Sequence, residues 1–109
     1  MNGWIRIGMP GDVPYLEGRR VTVGDRGIAV FRLEDRFAAV DAVCPHAGGP
    51  LADGMVADAC VTCPLHNRRF DLGTGQAVNG PESVAVHEVE VRDGSLWLRL
   101  AAPVTALAA

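Results

Sequence analysis

Two short segments of the sequence each combine a cysteine with a histidine. The first is Cys-Pro-His at 44–46 and the second is Cys-Pro-Leu-His at 63–66, with sixteen residues between them. Thiolates and imidazoles are both good ligands for transition metals. A cluster with two cysteines on one iron and two histidines on the other can be built from two such pairs, each giving one ligand to each iron. The spacing therefore predicts one 2Fe-2S cluster. Its four predicted ligands are Cys44, His46, Cys63 and His66.

A single zinc ion is the main alternative for these side chains. Two cysteines and two histidines would complete a tetrahedral zinc site. Within each half of such a site the ligands are usually separated by about two to four residues, because both must reach the same ion. Only one residue separates Cys44 from His46, and this spacing favours two neighbouring irons. With zinc, the chain would be a zinc-stapled interaction module.

Proline and glycine flank the predicted ligands. Pro45 and Pro64 each follow a cysteine, fix their own φ and favour an extended conformation at that cysteine. Gly48 and Gly49 have no Cβ, so their backbone can approach an inorganic sulfide and donate N–H hydrogen bonds to it. An ordinary Gly-Gly-Pro turn would explain the same residues. The pattern predicts two stiff ligand loops.

Short alternating runs of apolar and polar residues, typical of β-strands, lie on either side of these loops. Turn residues at 24–27 and 34–36 separate three successive strands, which predicts a meander, and Asp93-Gly94 predicts a closing hairpin. The predicted strands are 4–7, 19–23, 28–33, 37–40, 84–91 and 96–100. We therefore expect an all-β fold in which loops at 43–51 and 62–75 carry the ligands.

Length and composition indicate one globular domain over residues 1–109, ending in a short helix or frayed tail at 101–109. The chain has 49% hydrophobic and 21% charged residues, which disfavours disorder. Its net charge is −3, and its ten cationic residues form no dominant basic stripe, so we expect no nucleic-acid partner.

The sequence also predicts a cytoplasmic protein without a membrane partner. No run approaches the roughly 18 apolar residues of a membrane span, and the first seven residues lack the pattern of a signal peptide. Three cysteines, an odd number, fit metal binding in a reducing compartment better than a disulfide framework.

The two ligand segments resemble the cluster loops of Rieske 2Fe-2S proteins. Here they read Cys-Pro-His-Ala-Gly-Gly-Pro-Leu at 44–51 and Cys-Pro-Leu-His-Asn-Arg-Arg-Phe-Asp-Leu-Gly-Thr-Gly at 63–75. The surrounding strand pattern is similar as well, so the resemblance covers nearly the whole chain. It implies the Rieske iron-sulfur fold, with antiparallel sheets and both loops at one tip. It also implies that the two cysteines bind one iron and the two histidines the other.

Within that family the chain is most similar to the small subunit of NAD(P)H-dependent assimilatory nitrite reductase, which reduces nitrite to ammonia. The likeness lies in Asn67 after the second histidine, in Phe70-Asp71 and in Gly80-Pro81. The Rieske ferredoxins of ring-hydroxylating dioxygenases usually have glycine at the position of Asn67, and the reductase subunits often have an aromatic residue at that of Arg68. Both resemblances imply an electron carrier that is not catalytic alone. Its redox partner would be a nitrite reductase large subunit, or an oxygenase or flavin reductase.

High-potential Rieske proteins differ from this chain at four positions around the cluster. They carry a disulfide between cysteines at the positions of Gly49 and Leu65, and hydroxyl donors at those of Arg68 and Phe70. Hydrogen bonds from such hydroxyls stabilise the reduced cluster. The resemblance therefore implies a midpoint potential of about −150 mV rather than about +300 mV.

Four further residues have reactive or charged side chains but are not among the predicted cluster ligands. We expect Cys60 to be a buried strand cysteine, because four ligands are already supplied. We expect His87 to be a solvent-facing or hydrogen-bonded strand histidine. Arg68 and Arg69 either attract an acidic partner or form a solvated edge.

Overall fold

The computed structural model describes residues 3–46, 48–65 and 67–101, and these form β-strands joined by turns and two 3-10 helices, with no α-helix among them. The strands are β1 (Trp4–Gly8), β2 (Gly18–Val23), β3 (Arg26–Arg32), β4 (Phe37–Asp41), β5 (Met55–Ala57), β6 (Cys60–Thr62), β7 (Arg69–Asp71), β8 (Val86–Arg92) and β9 (Ser95–Arg99). The 3-10 helices are Pro10–Asp12 and Leu51–Asp53. The all-β prediction is confirmed.

The larger sheet has six strands in the order β1-β9-β8-β4-β3-β2, all paired antiparallel. The predicted meander is its β2-β3-β4 half, and the predicted hairpin joins β8 to β9. Asp93 and Gly94 both have positive φ (52° and 76°), as a two-residue hairpin turn requires. The first strand pairs with the last, β9, so the two ends of the described chain lie in one half of this sheet.

A smaller sheet of three short strands, β5-β6-β7, carries the second predicted loop. Asp58 and Ala59 form the tight turn between β5 and β6, with φ values of 54° and 59°. The sequence pattern did not predict this sheet as such, because each strand has only three residues and shows no alternation.

Strand β3 is buried on both faces, and it separates two apolar cores. Ala29 and Phe31 belong to the core between the two sheets, whereas Ile28 and Val30 belong to the core on the opposite face. The first core also contains both predicted ligand cysteines. Its fully buried side chains include Phe31, Val40, Cys44, Leu51, Val61, Cys63 and Phe70. The cysteines are therefore positioned by the main packing of the molecule.

Within the described residues, no helix has the length and apolar character needed to span a membrane. The predicted tail, apart from Ala101, lies outside the described residues.

Candidate metal centre

The two predicted ligand loops touch each other at Gly49. A Cβ placed on this residue would lie 2.7 Å from Cys63 Sγ and 3.0 Å from Leu65 Cγ, closer than side-chain atoms normally approach. Only a glycine leaves room for this contact without displacing the cysteine sulfur or the leucine. Gly49 and Leu65, which stand where high-potential Rieske proteins have a disulfide, are thus neighbours here, and none of the three cysteines forms a disulfide.

Both loops repeat one pattern of backbone hydrogen bonds. In each, the cysteine N–H donates to the carbonyl five residues later, and the cysteine carbonyl accepts from the N–H four residues later. The four bonds are Cys44 N–H to Gly49 O (2.8 Å), Gly48 N–H to Cys44 O (2.8 Å), Cys63 N–H to Arg68 O (2.8 Å) and Asn67 N–H to Cys63 O (3.1 Å). The two loops are therefore close copies of each other in backbone structure.

The similarity between the two loops includes the backbone conformation of the fourth residue after each cysteine. Gly48 and Asn67 both lie in the left-handed region, with φ of 76° and 58°. Glycine and asparagine are the residues that adopt this conformation most readily. The different side chains at these two positions thus satisfy the same requirement.

The described ligand candidates differ in their exposure to solvent. Cys44 and Cys63 are 1% and 0% exposed, whereas His46 is exposed. His66, the fourth predicted ligand, lies outside the described residues. The arrangement places two thiols inside the core and an imidazole at the surface. Soft thiol ligands inside and an accessible imidazole outside fit a cluster that must exchange electrons with another protein.

The first loop is held in place by its backbone. Leu51 N–H donates to Ala42 O (2.9 Å), and Ala42 N–H donates to Gly27 O (3.0 Å) at the start of β3. Val43 and Pro50 form a β-bridge that closes the base of the loop. None of these contacts requires a particular side chain.

The second loop lies between the paired strands β6 and β7 and is further held by three residues, which we call the brace: Arg68, Asn79 and Glu82. Arg68 Nε lies 3.0 Å from Glu82 Oε1, and another guanidinium nitrogen of Arg68 donates to the Asn79 carbonyl. The Asn79 side-chain amide donates to Asn67 O (3.0 Å) and accepts from Arg69 N–H (3.0 Å). The brace thus ties the second loop to residues 79–82.

The ion pair in the brace is largely removed from water. The Arg68 and Glu82 side chains are 20% and 22% exposed, and the Nε and Oε1 atoms that face each other have no hydrogen-bond partner in the described part of the chain. Their mutual attraction is what compensates their desolvation. The burial of Arg68 and its pairing with Glu82 disagree with the solvated-edge prediction for this residue, whereas attraction of an acidic partner stays a prediction.

Arg69 is more exposed and forms a longer ion pair, 3.5 Å from Asp58, with side chains 40% and 89% exposed. Such a pair contributes little to stability. This matches the solvated-edge interpretation of Arg69.

The two remaining predictions concern side chains away from the loops. Cys60 begins β6 and is 7% exposed, so the buried strand cysteine is confirmed. His87 is 4% exposed and hydrogen bonded at both ring nitrogens, with Nε2 2.7 Å from Asp41 Oδ1 and Nδ1 2.9 Å from the N–H of Ala101. His87 is therefore a hydrogen-bonded histidine, and it fixes the last described residue of the chain.

The fold and the two loops define a class: small antiparallel β proteins in which paired loops carry two buried thiols, with an imidazole exposed on the first loop. The family model of the Rieske 2Fe-2S domain matches residues 3–90. The chain belongs to the Rieske 2Fe-2S family, and its cofactor is one Rieske-type 2Fe-2S cluster. It is an electron-transfer protein, because the cluster accepts and donates single electrons. Family membership favours the two-iron cluster over the zinc alternative.

Two groups among the relatives are small chains of similar length, namely dioxygenase ferredoxins and nitrite reductase small subunits. The anthranilate 1,2-dioxygenase ferredoxin subunit of Burkholderia cepacia is 34% identical over 85% of this chain and 88% of its own. The ferredoxin in the complex of reduced oxygenase and oxidised ferredoxin of carbazole 1,9a-dioxygenase matches with a TM-score of 0.83 and 28% identity, covering 94% of this chain and 100% of its own. A protein assigned as the NADH-dependent nitrite reductase small subunit of Mycobacterium tuberculosis matches with a TM-score of 0.84 and 27% identity, covering 92% and 96%.

Proposed function

We propose that this chain is a Rieske ferredoxin, one domain over residues 1–109, that delivers single electrons to the terminal oxygenase of a ring-hydroxylating dioxygenase. The observation that carries this proposal is the 34% identity to a dioxygenase ferredoxin subunit over nearly the full length of both chains. A second relative, the ferredoxin CarAc of Metapseudomonas resinovorans, is 32% identical over 87% of this chain and 92% of its own. The matched segments make up 88% and 92% of these two ferredoxins, so the likeness extends over nearly all of each carrier.

The proposal assigns the cluster to Cys44, His46, Cys63 and His66. Its support is the repeated backbone of the two loops, the burial of both thiols and the exposure of His46. Thiolates held in the core and imidazole ligands at the surface allow the cluster to be shielded from bulk water on one side and reached by a partner on the other.

The experiment is single-turnover electron transfer between purified proteins. The chain is loaded with iron and sulfide under anaerobic conditions, assayed for two irons and two sulfides per chain, and reduced with dithionite. It is then mixed in a stopped-flow instrument with the oxidised terminal oxygenase of carbazole 1,9a-dioxygenase. We expect reoxidation of the chain at least about tenfold faster than with a sirohaem-containing nitrite reductase large subunit. A faster reaction with the reductase would overturn the oxygenase assignment.

The second candidate function is the small subunit of NAD(P)H-dependent nitrite reductase. The specific observation in its favour is Asn67 in the left-handed conformation directly after the second ligand motif, together with the fold match to the Mycobacterium tuberculosis protein. This function requires a stable complex with a sirohaem-containing large subunit. Size-exclusion chromatography of the loaded chain with such a subunit would show co-elution if it applies and separate peaks if it does not.

A further inference from the structure

We propose that the Arg68–Glu82 ion pair sets the midpoint potential of the protein, and that Glu82 holds this potential below the value that Arg68 alone would give. Glu82 acts through Arg68, so it is a positioning residue and not a ligand. The inference rests on the ligand assignment proposed above, and it adds a residue outside the two loops that controls their redox chemistry.

Arg68 carries the first formal charge after the second ligand segment. Residues 59–67 contain no arginine, aspartate or glutamate, and Arg68 comes two positions after His66. The Arg68 carbonyl accepts the N–H of Cys63 at 2.8 Å, so the backbone of the arginine is bonded directly to that of the buried cysteine. The charge of Arg68 is therefore carried by the same loop as the Cys63 thiol.

Glu82 meets this guanidinium with both of its carboxylate oxygens. Arg68 Nε lies 3.0 Å from Glu82 Oε1, and Nη2 of the same group donates to Glu82 Oε2 at 3.3 Å. The two side chains are only 20% and 22% exposed. Water and salt screen charges weakly in such surroundings, so removing the Glu82 carboxylate changes the net charge that acts on the second loop.

The chain leaves space for the pair at Gly80. A Cβ on this residue would lie 2.7 Å from Glu82 Oε1 and closer still to the guanidinium of Arg68. Gly80 is not among the glycines with positive φ, so the lack of space for a side chain is what favours glycine here. A buried ion pair often stabilises a protein no more than apolar side chains of similar volume. Stability alone therefore does not explain the pair.

The neighbouring charges have different surroundings. Arg69 lies 3.5 Å from Asp58, but these side chains are 40% and 89% exposed. The Asp71 carboxylate accepts the N–H groups of Gly73 and Thr74 at 2.7 Å and 3.0 Å. Water and salt screen an exposed pair far better than a buried one. The exposed pair of Arg69 and Asp58 therefore provides a matched control for the buried pair.

The sign of the expected effect follows from the charges. Reduction adds one negative charge at the ligand loops, and the net charge nearby shifts the midpoint potential. Without the Glu82 carboxylate the charge of Arg68 is uncompensated, because an arginine keeps its charge in proteins. A positive charge stabilises the reduced form and raises the midpoint potential. Removing both charges together should restore the original potential.

Square-wave voltammetry of the iron- and sulfide-loaded chain, at one pH and about 20 mM salt, tests the proposal. Glu82→Gln keeps the shape of the side chain and should raise the midpoint potential by at least about 28 mV, a threefold change in the equilibrium constant of one-electron reduction. The double variant Arg68→Gln with Glu82→Gln should lose more than half of that shift. No shift or a downward shift in Glu82→Gln would overturn the proposal.

The double variant separates this electrostatic role from a structural one. If Glu82 served only to hold the loop, the double variant would be perturbed at least as much as Glu82→Gln, because it lacks both sides of the pair. A double variant shifted as far as Glu82→Gln would therefore overturn the proposal. Arg68→Gln gives a second measurement should Glu82→Gln not retain its cluster. It leaves the carboxylate unpaired and should lower the potential, and a raised potential would contradict the proposal.

The exposed pair tests whether burial matters. Asp58→Asn also removes a carboxylate opposite an arginine of the second loop, but it should shift the potential less than half as far as Glu82→Gln. Equal shifts would overturn the proposal. Iron and sulfide analysis and the EPR signal of each reduced variant check that its cluster is intact.

The measurement separates this inference from the proposed function. No oxygenase is present in the voltammetric cell, so failure of the proposed partner in stopped flow leaves the result standing. Failure of the unsubstituted chain to bind iron would overturn the ligand assignment and this inference with it. An intact cluster with the wrong pattern of shifts would overturn the inference alone.

Discussion

The loop that carries Cys44 and the loop that carries Cys63 share the same hydrogen bonds around the cysteine, but they are attached to the molecule in different ways. The first is anchored by backbone bonds to Ala42 and through it to β3. The second lies between the paired strands β6 and β7 and is attached in addition by the brace of Arg68, Asn79 and Glu82. Similar ligand geometry can thus be maintained by contacts that tolerate substitution and by contacts that do not. We expect point mutations to weaken the second loop more readily than the first.

The largest expected effect is the loss of the cluster when a proposed cysteine ligand is replaced. It tests whether both loops bind the same cluster. Cys63→Ser should reduce iron and sulfide from two per chain to near zero, because the buried thiolate is a proposed ligand. Cys60→Ala, in the same small sheet, is the matched control and should retain the cluster. Metal analysis with EPR of the dithionite-reduced protein measures both. Loss of the cluster in Cys60→Ala alone would contradict the ligand assignment.

The second-largest effect is expected when the ion pair of the brace is removed. Arg68→Ala leaves the Glu82 carboxylate largely buried without its partner, and we expect the free energy of unfolding to fall by about 2 kcal/mol. The cluster should also be released faster to a chelator, followed by its visible absorbance. The double variant Arg68→Met with Glu82→Leu removes both charges and should recover much of the loss.

Urea unfolding of the apoproteins provides the comparison for these brace variants. If Arg68→Ala and the double variant are equally destabilised, the ion pair is not what secures the second loop.

A smaller effect on stability is expected from substitutions at Gly48 and Asn67. These variants test whether both positions require a left-handed backbone conformation. Gly48→Val should cost about 1–2 kcal/mol, because valine resists positive φ, although there is open space around the missing Cβ. Gly48→Asn should cost less, and Asn67→Gly should be tolerated. Denaturant midpoints of the three variants give the ranking. Equal losses for Gly48→Val and Gly48→Asn would show that the conformation is not what the two loops have in common.

The smallest effect is expected far from both loops, at Glu88 and Arg99 on the exposed side of β8 and β9. The hydrogen bond from Arg99 lowers the pKa of Glu88. A lowered folded-state pKa means that the contribution to stability is present above the ordinary pKa of glutamate and is lost as the pH falls through the folded value. Glu88→Gln should leave stability at neutral pH and cluster content nearly unchanged, and slightly flatten the acid side of the stability profile. A loss of cluster in this variant would mean that the body of the molecule, too, controls the loops.

Much of this architecture could be predicted from the sequence, since alternation and turn residues identify β2, β3, β4 and the β8–β9 hairpin. The ligand motifs could be predicted because their residue types and spacing are local. The β5-β6-β7 sheet was missed because strands of three residues have no period to detect. The role of Arg68 was missed because its partners, Asn79 and Glu82, are more than ten residues away and only the fold brings them together.

The burial of β3 on both faces has a consequence for how the protein loses its structure. Ala29 and Val30 contribute to opposite cores, and their strand is paired with β2 on one side and β4 on the other. Because β3 contributes side chains to both cores, neither core can be exposed to water without disrupting the other. Local opening around β3 should therefore be rare. Amide hydrogen exchange at these two residues should therefore report global unfolding, and it provides a reference rate against which release of the cluster can be timed. Release faster than this exchange would show that the loops open while the two cores remain folded.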